Sequence, residues 1–233
     1  MKRSWSIGVM FFLMVAAYPQ DKSRNTVLSD KAKFFETPQK GYWAADRGVI
    51  LKTDNGGVTW ITCPSGVTVK LNSICFTSGT TGFAVGEKGT IIKTKDGGIS
   101  WEIKSSPVKE VDLNYIYFAS DSVGFIVGDY GCILKTTDSG EKWHVQKSPT
   151  TKDLFQVYFI DEKTGYAVGE AGRVIKTTDG GKKWERVSVI GCETVVAMNF
   201  MDIKTGYVVT ARGDMFRTTD GGKTWDRVIR DLY

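Results

Sequence analysis

Arg47, Arg173 and Arg212 fall in or beside one recurring kind of short turn, and Tyr130 with the acids Asp46, Glu87, Asp129 and Glu170 occupies equivalent turns. Guanidinium groups pair bidentately with carboxylates, so such a set would suit an acidic ligand. Exposed turns are also where solvated charges belong, so clustering alone does not make a catalytic centre. The rest of the inventory is sparse. His144 is the single histidine, which excludes histidine-dependent triads and multi-histidine metal sites. No Gly-x-Ser-x-Gly elbow, phosphate-binding glycine loop or His-Glu-x-x-His motif occurs. The sequence therefore predicts no catalytic residue, no cofactor and no metal. Asp46, Arg47, Glu87, Lys88, Asp129, Tyr130, Glu170, Arg173 and Arg212 are expected to form a surface for a partner.

The elements that carry these turns repeat. Tryptophan recurs at Trp60, Trp101, Trp143, Trp184 and Trp225, at intervals of 41 or 42 residues. Each copy has an apolar run ending in Phe (Phe35, Phe76, Phe118, Phe159, Phe200), and six residues on a Gly followed by an aromatic, as in Gly82-Phe83 or Gly165-Tyr166. A second Gly seven residues further opens a run such as Thr90-Ile91-Ile92-Lys93-Thr94. The copy closes on a box, clearest as Thr218-Thr219-Asp220-Gly221-Gly222-Lys223-Thr224-Trp225. Aromatic and β-branched runs bounded by turn residues read as strands, four per copy, with no segment of helical period. A period near forty residues with four short strands is one blade of a β-propeller. The fold class expected is all-β, with about five four-stranded antiparallel blades. Whether they close into a ring or leave an open arc of a larger propeller is undecided.

The box residues Asn55, Asp96, Asp138, Asp179 and Asp220 read as structural, since a hydroxyl and a carboxylate two residues on can accept backbone N–H groups in a hairpin turn. Each Trp is expected to swing back between neighbouring sheets. Lys52, Lys93, Lys135, Lys176 and Arg217 recur at one position in every copy. They could form a cationic collar, but recurrence in every copy favours side chains lying along their own blades with the charge near the box carboxylate. Positions that vary between copies are where a specific surface would be built. These are the turns above and the loops at Pro64–Lys70, Ser105–Asp112, Lys147–Asp153 and Ser188–Thr194, all expected on the face opposite the boxes.

The closing pattern Ser/Thr-x-Asp-x-Gly-x-Thr-Trp resembles the Asp-box, or BNR, repeat of sialidases, sortilin-type receptors and photosystem II assembly/stability factor-like propellers. The longer unit Gly-Tyr-Ala-Val-Gly-Glu-x-Gly-x-Ile-x-Lys-Thr-Thr-Asp-Gly-Gly-Lys-x-Trp is most similar to the last of these, over about residues 27 to 230. Three departures stand out: Asn55 for the box Asp in copy one, Lys142 and Lys183 for its Thr, and Ser139 for the first Gly in copy three. These copies are expected to keep the turn with fewer side-chain hydrogen bonds. The family's best-known members have seven blades, against five copies here. The resemblance implies a non-enzymatic scaffold that binds another protein, as an assembly or stability factor for an envelope or membrane complex. The rival is a glycan-active protein, either a sialidase-like hydrolase or a carbohydrate-binding propeller. Sialidases resemble one another in three arginines on the substrate carboxylate and a Tyr/Glu nucleophile pair, but their Phe/Tyr-Arg-Ile-Pro segment is absent here.

The first residues have a different character. Lys2 and Arg3 precede an apolar run from Ile7 to Ala17, with small residues at Val15-Ala16-Ala17, which reads as a secretory signal peptide over 1–17. Residues 18–26 are a short linker, and 27–233 carry the repeats at about 27–66, 67–107, 108–149, 150–190 and 191–233. With no Cys after the apolar run before Cys63, a periplasmic or secreted protein without a lipid anchor is expected. Cleavage would lower the net charge from +5 to about +3, with acids and lysines interspersed, so nucleic-acid binding is not expected. Cys63, Cys75, Cys132 and Cys192 show no zinc spacing. A Cys132–Cys192 disulfide and four buried thiols are both open.

Overall fold

Each strand-one Phe faces a Gly on strand two, and this pairing organises the sheets. The computed structural model describes residues 32–189, 191 and 193–229. Blade 1 comprises β1 (Lys33–Phe35), β2 (Gly41–Ala44), β3 (Ile50–Thr53) and β4 (Ile61–Cys63). Blade 2 comprises β5 (Leu71–Phe76), β6 (Gly82–Gly86), β7 (Ile91–Thr94) and β8 (Glu102–Ile103). Blade 3 has β9 (Leu113–Phe118), β10 (Gly124–Gly128), β11 (Ile133–Thr136) and β12 (His144–Val145). Blade 4 has β13 (Leu154–Phe159), β14 (Gly165–Gly169), β15 (Arg173–Thr177) and β16 (Glu185–Val189). Blade 5 has β17 (Val195–Phe200), β18 (Gly206–Thr210), β19 (Met215–Thr218) and β20 (Asp226–Ile229). Every sheet is an antiparallel meander in chain order. The fold class expected from the repeats is the one observed.

In register, Phe35 opposes Gly41, Phe76 opposes Gly82, Phe118 opposes Gly124, Phe159 opposes Gly165 and Phe200 opposes Gly206. The Phe ring lies flat over its Gly, so a Cβ on Gly82 would stand 2.6 Å from the Phe76 ring. The aromatic that follows the Gly points to the other face and meets the next blade. Tyr42 stacks on Phe76 at 3.9 Å between centroids, Phe83 on Phe118 at 4.6 Å, Phe125 on Phe159 at 4.2 Å and Tyr166 on Phe200 at 4.0 Å. The box Trp of that next blade meets the same Phe edge-on, as Trp101 meets Phe76 and Trp184 meets Phe159 at interplanar angles of 80° and 87°. Tyr42, Phe83, Phe125 and Tyr166 are wholly buried. Burying such a ring contributes about 1.5–3 kcal/mol by area, and each aromatic pair about 0.5–1.5 kcal/mol more. The Trp side chains lie where the sequence places them, Trp143 and Trp184 buried and Trp60, Trp101 and Trp225 half-buried.

Core residues accordingly cluster between blades rather than inside one. One cluster joins Tyr42 and Ile50 to Leu71 and Ile74, and a second joins Phe83 and Ile91 to Leu113 and Ile116. Phe125 and Ile133 meet Leu154 and Val157, and Tyr166 and Val174 meet Val195 and Met198. Strand packing runs from blade 1 through to blade 5, and among the described residues no strand of blade 5 packs on blade 1 in the same way. Among the described residues the five blades therefore follow one another as an arc.

Gly82→Ala is expected to destabilise the fold by about 1–3 kcal/mol through overpacking against Phe76. An unchanged urea midpoint for that variant would show that the ring can move aside.

Candidate functional site

The boxes are turns held by a buried hydroxyl. In blade 2, Thr94 Oγ1 accepts the N–H groups of Asp96 (3.3 Å) and Gly98 (3.0 Å) and donates to Asp96 Oδ1 (2.7 Å). Asp96 then accepts Ser100 N at 2.9 Å and Ser100 Oγ at 2.5 Å. Thr218, Asp220 and Thr224 repeat this network in blade 5. In blades 3 and 4, Asp138 and Asp179 accept only the backbone N–H of Lys142 and Lys183 at that end, both at 2.9 Å. Blade 1 departs from the expectation of a weakened turn. Asn55 Oδ1 accepts Thr53 Oγ1 and Thr59 N, each at 2.9 Å, while its amide donates to Thr59 Oγ1 at 2.8 Å, so no contact is lost. Ser139 in blade 3 adopts the left-handed φ of 58° that Gly supplies in the other boxes.

Lys93, Lys135 and Lys176 do not lie beside their own box carboxylates. Each crosses to the following blade: Lys93 Nζ donates to the Ser139 carbonyl at 2.6 Å, Lys135 to that of Gly180 at 2.7 Å and Lys176 to that of Gly221 at 3.3 Å. On the way the stems pass over the aromatic of their own blade, as Lys93 does over Phe83 at 5.1 Å. They are straps between blades, which the sequence pattern could not distinguish from contacts within one.

The opposite face holds the varied turns. Arg47, Lys88, Tyr130 and Ala171 sit at φ of 57°, 56°, 57° and 54°, each followed by a Gly of positive φ, the geometry of a type I′ hairpin turn. The sequence signals the Gly but not the left-handed residue before it. Each turn is tied to the neighbouring loops. Lys88 N donates to Asp112 Oδ1 at 3.0 Å and Tyr130 N to Asp153 Oδ1 at 2.9 Å, placing turns and inter-blade loops on one face as expected. At 188–189 the expected loop is instead the end of β16.

Within this frame the candidate residues divide. Arg47, Lys88 and Tyr130 project from adjacent blades with exposed side chains, and Asp46 is exposed beside Arg47. Glu87 accepts Lys70 N at 3.3 Å, Glu170 pairs with Lys152 at 3.2 Å and Arg212 with Glu193 at 2.9 Å. Asp129 accepts Asn114 Nδ2 at 2.8 Å, and its pKa is raised by burial and by Asp153 and Asp112. Arg173 begins β15 half-buried, with its Nε enclosed. The three arginines thus differ in role: one projects, one is paired with an acid and one is packed into its strand. His144 lies exposed on β12. Cys63, Cys75 and Cys132 are free thiols, and burial pushes Cys132 up to about 11. Cys192 and the expected leader both fall outside the described residues. Among the described residues no group of His, Cys, Asp or Glu could hold a metal, and no helix is long and apolar enough to cross a membrane.

The family model for the photosynthesis system II assembly factor YCF48 matches residues 63–148, and that for the BNR/Asp-box repeat matches residues 216–227. The chain carries Asp-box repeats on a β-propeller fold. Over residues 63–148 it is similar to the photosystem II assembly factor-like propellers. Among curated proteins, none matches the chain. Of solved structures, YCF48 from Cyanidioschyzon merolae is 16% identical, with 84% of this chain and 83% of that one covered and a TM-score of 0.55. An ancestral GH74 enzyme is also 16% identical, at a TM-score of 0.72 over 85% of this chain and 31% of its own. The GH74 xyloglucanase from Xanthomonas campestris is 14% identical, at 0.67 over 82% and 36%. This Asp-box propeller spans about a third of the length of those two enzymes, and at such identities the likeness is one of fold.

Side-chain hydrogen bonds from Ser100 hold the Asp96 carboxyl down at about 2, and Thr224 holds Asp220 below the usual carboxylate range. Backbone N–H groups lower Asp138 and Asp179 in the same way. A carboxylate whose pKa is lower folded than unfolded stabilises the fold above the unfolded value of about 3.9, and that stabilisation is lost as pH falls through the folded one. The Asp96→Asn/Asp220→Asn pair copies the Asn55 box and should therefore lose less stability than the wild type between about pH 4 and about pH 2. Identical acid-unfolding curves by circular dichroism would show that these exposed carboxylates contribute nothing.

Proposed function

We propose that the protein is an exported, non-enzymatic interaction scaffold whose partner is another protein, in the manner of an assembly or stability factor for an envelope or membrane complex. The observation that carries this reading is the row of Arg47, Lys88 and Tyr130, three exposed side chains raised on rigid type I′ turns of adjacent blades. Turns locked to their neighbours bind without a large ordering cost, which favours recognition by a preformed surface. Two cations beside an aromatic suit a segment of the partner that carries carboxylates and an apolar or aromatic side chain. The match of residues 63–148 to an assembly-factor model supports the same class of role. Export rests on the apolar run from Ile7 to Ala17, and no nucleic acid, cofactor or metal enters the reading.

A second reading, a glycan-active propeller, draws on the fold likeness to the GH74 enzymes. The division of labour among the arginines weighs against a sialidase-like site, because Arg212 is already engaged by Glu193.

Crosslinking in the native envelope fraction is expected to capture a defined protein, with capture falling at least about tenfold, roughly 1.4 kcal/mol, in Arg47→Glu/Lys88→Glu or in Tyr130→Ala. Capture unaffected by both variants, or turnover of glycosides that Arg173→Ala abolishes, would overturn the scaffold reading.

A further inference from the structure

One carboxylate gathers three ammonium groups where blade 2 meets blade 3. Glu141, in the box of blade 3, accepts Lys93 Nζ at 2.8 Å, Lys95 Nζ at 3.3 Å and Lys104 Nζ at 2.6 Å. Lys93 and Lys104 are nearly buried, and a buried ammonium without an acid beside it is costly. Glu102 also stands 3.3 Å from Lys104. The set balances, with Lys93, Lys95 and Lys104 against Asp96, Glu102 and Glu141. Hydrogen bonds from Lys104 first, then Lys93, hold the Glu141 carboxyl down at about 2.

The repeat carries the same notch into the joint of blades 4 and 5 with its contents changed. Counted from the box Trp, Lys176 stands for Lys93, Thr178 for Lys95, Glu185 for Glu102 and Val187 for Lys104. Lys223 stands for Glu141. An ammonium thus takes the place of the carboxylate, and a cavity of about 430 Å³ lies there on the box face. Lys176, Lys183, Arg186 and Lys223 line it, against the acids Asp179 and Glu185.

Both acids are already engaged. Asp179 Oδ1 accepts Thr177 Oγ1 and Lys183 N, each at 2.9 Å, and Glu185 pairs with Lys183 at 2.6 Å. Lys176 Nζ reaches only the Gly221 carbonyl, at 3.3 Å. Burial lowers the Lys176 pKa, and the Lys223 ammonium lowers it further, with Asp220 acting the other way. The two cations repel one another where blades 2 and 3 place an acid.

We propose that the notch between blades 4 and 5 binds a glutamate-sized carboxylate supplied from outside the chain, seated against Lys176, Lys183 and Lys223 as Glu141 is seated against Lys93, Lys95 and Lys104. The chain's own Glu141 sets the chemistry: a carboxylate on a short apolar stem, for which Val187 offers an apolar wall. An acidic segment of a protein and a free dicarboxylate both bring that group. The notch lies on the face opposite Arg47, Lys88 and Tyr130, so it is independent of the partner surface proposed above.

A Gly-Glu-Gly peptide blocked at both ends and free glutarate present the carboxylate as a side chain and as a small anion. Titrated into the full chain, at least one is expected to shift the Gly221 and Lys223 amide resonances saturably. Affinity should fall by about threefold or more as NaCl rises from about 20 mM to about 300 mM. Tighter binding of the peptide assigns the carboxylate to a protein segment, and equal or tighter binding of glutarate assigns it to a small molecule. Lys223→Glu supplies the acid within the chain. It should weaken binding at least about tenfold and raise the thermal midpoint by about 1–3 °C. Lys109→Glu makes the same change of charge at an exposed position on the opposite face and should leave binding unaltered. Near-ultraviolet circular dichroism checks that both variants are folded, and Lys223→Ala replaces a Lys223→Glu that is not. No saturable shift with either ligand, undiminished binding in the Lys223 variant, or an equal loss in Lys109→Glu would overturn the proposal.

Discussion

One aromatic ring, held between a phenylalanine and a glycine of the following blade, is the contact on which the architecture depends. It explains why the repeat carries its landmarks as a set. The strand-one Phe needs the strand-two Gly because the ring lies flat over it, and no Cβ fits there. The residue after that Gly must then be the aromatic that faces the next blade. The box glycine is needed again, because that ring lies close against it. Loss of any one member exposes the others, so the landmarks travel together through all five copies. Blades built this way are marginal alone, since their apolar area is buried only between neighbours.

Much of this was legible in the sequence because spacing survives copying. The forty-residue period, the Phe–Gly interval and the box gave the strand count, the strand order and the face on which the varied turns emerge. Spacing says nothing about which copy a side chain touches. Lys93 recurs with its counterparts whether it contacts its own box or the next one, and only the structure shows it at Ser139. Asn55 looked like a loss because the pattern demands an acid. Its amide instead donates where the carboxylate would accept, and Thr59 turns to match.

The candidate site was legible in place but not in division. Glycine marked the turns, since a left-handed backbone favours it. The preceding residue also takes that conformation, at Arg47, Lys88 and Tyr130, and no sequence rule singles it out. That conformation is what raises three side chains clear of the face while Glu87, Asp129 and Glu170 beside them are drawn into holding the loops. Conformation, more than residue type, separates the groups available for contact from those already engaged.

The joints are also secured by two different chemistries. At the first and last, a phenol does the fastening: Tyr42 Oη donates to the Gly97 carbonyl at 3.0 Å and Tyr166 Oη to that of Gly221 at 2.9 Å, which Lys176 Nζ also reaches at 3.3 Å. The two middle joints have Phe83 and Phe125 in that place, and the same carbonyl is left to the ammonium of Lys93 or Lys135. A neutral fastener is indifferent to counterions, whereas a charged one is weakened by them. The two middle joints, which lack the phenol, therefore depend on the charged fastener alone, whereas each outer joint keeps a neutral bond that rising ionic strength leaves in place.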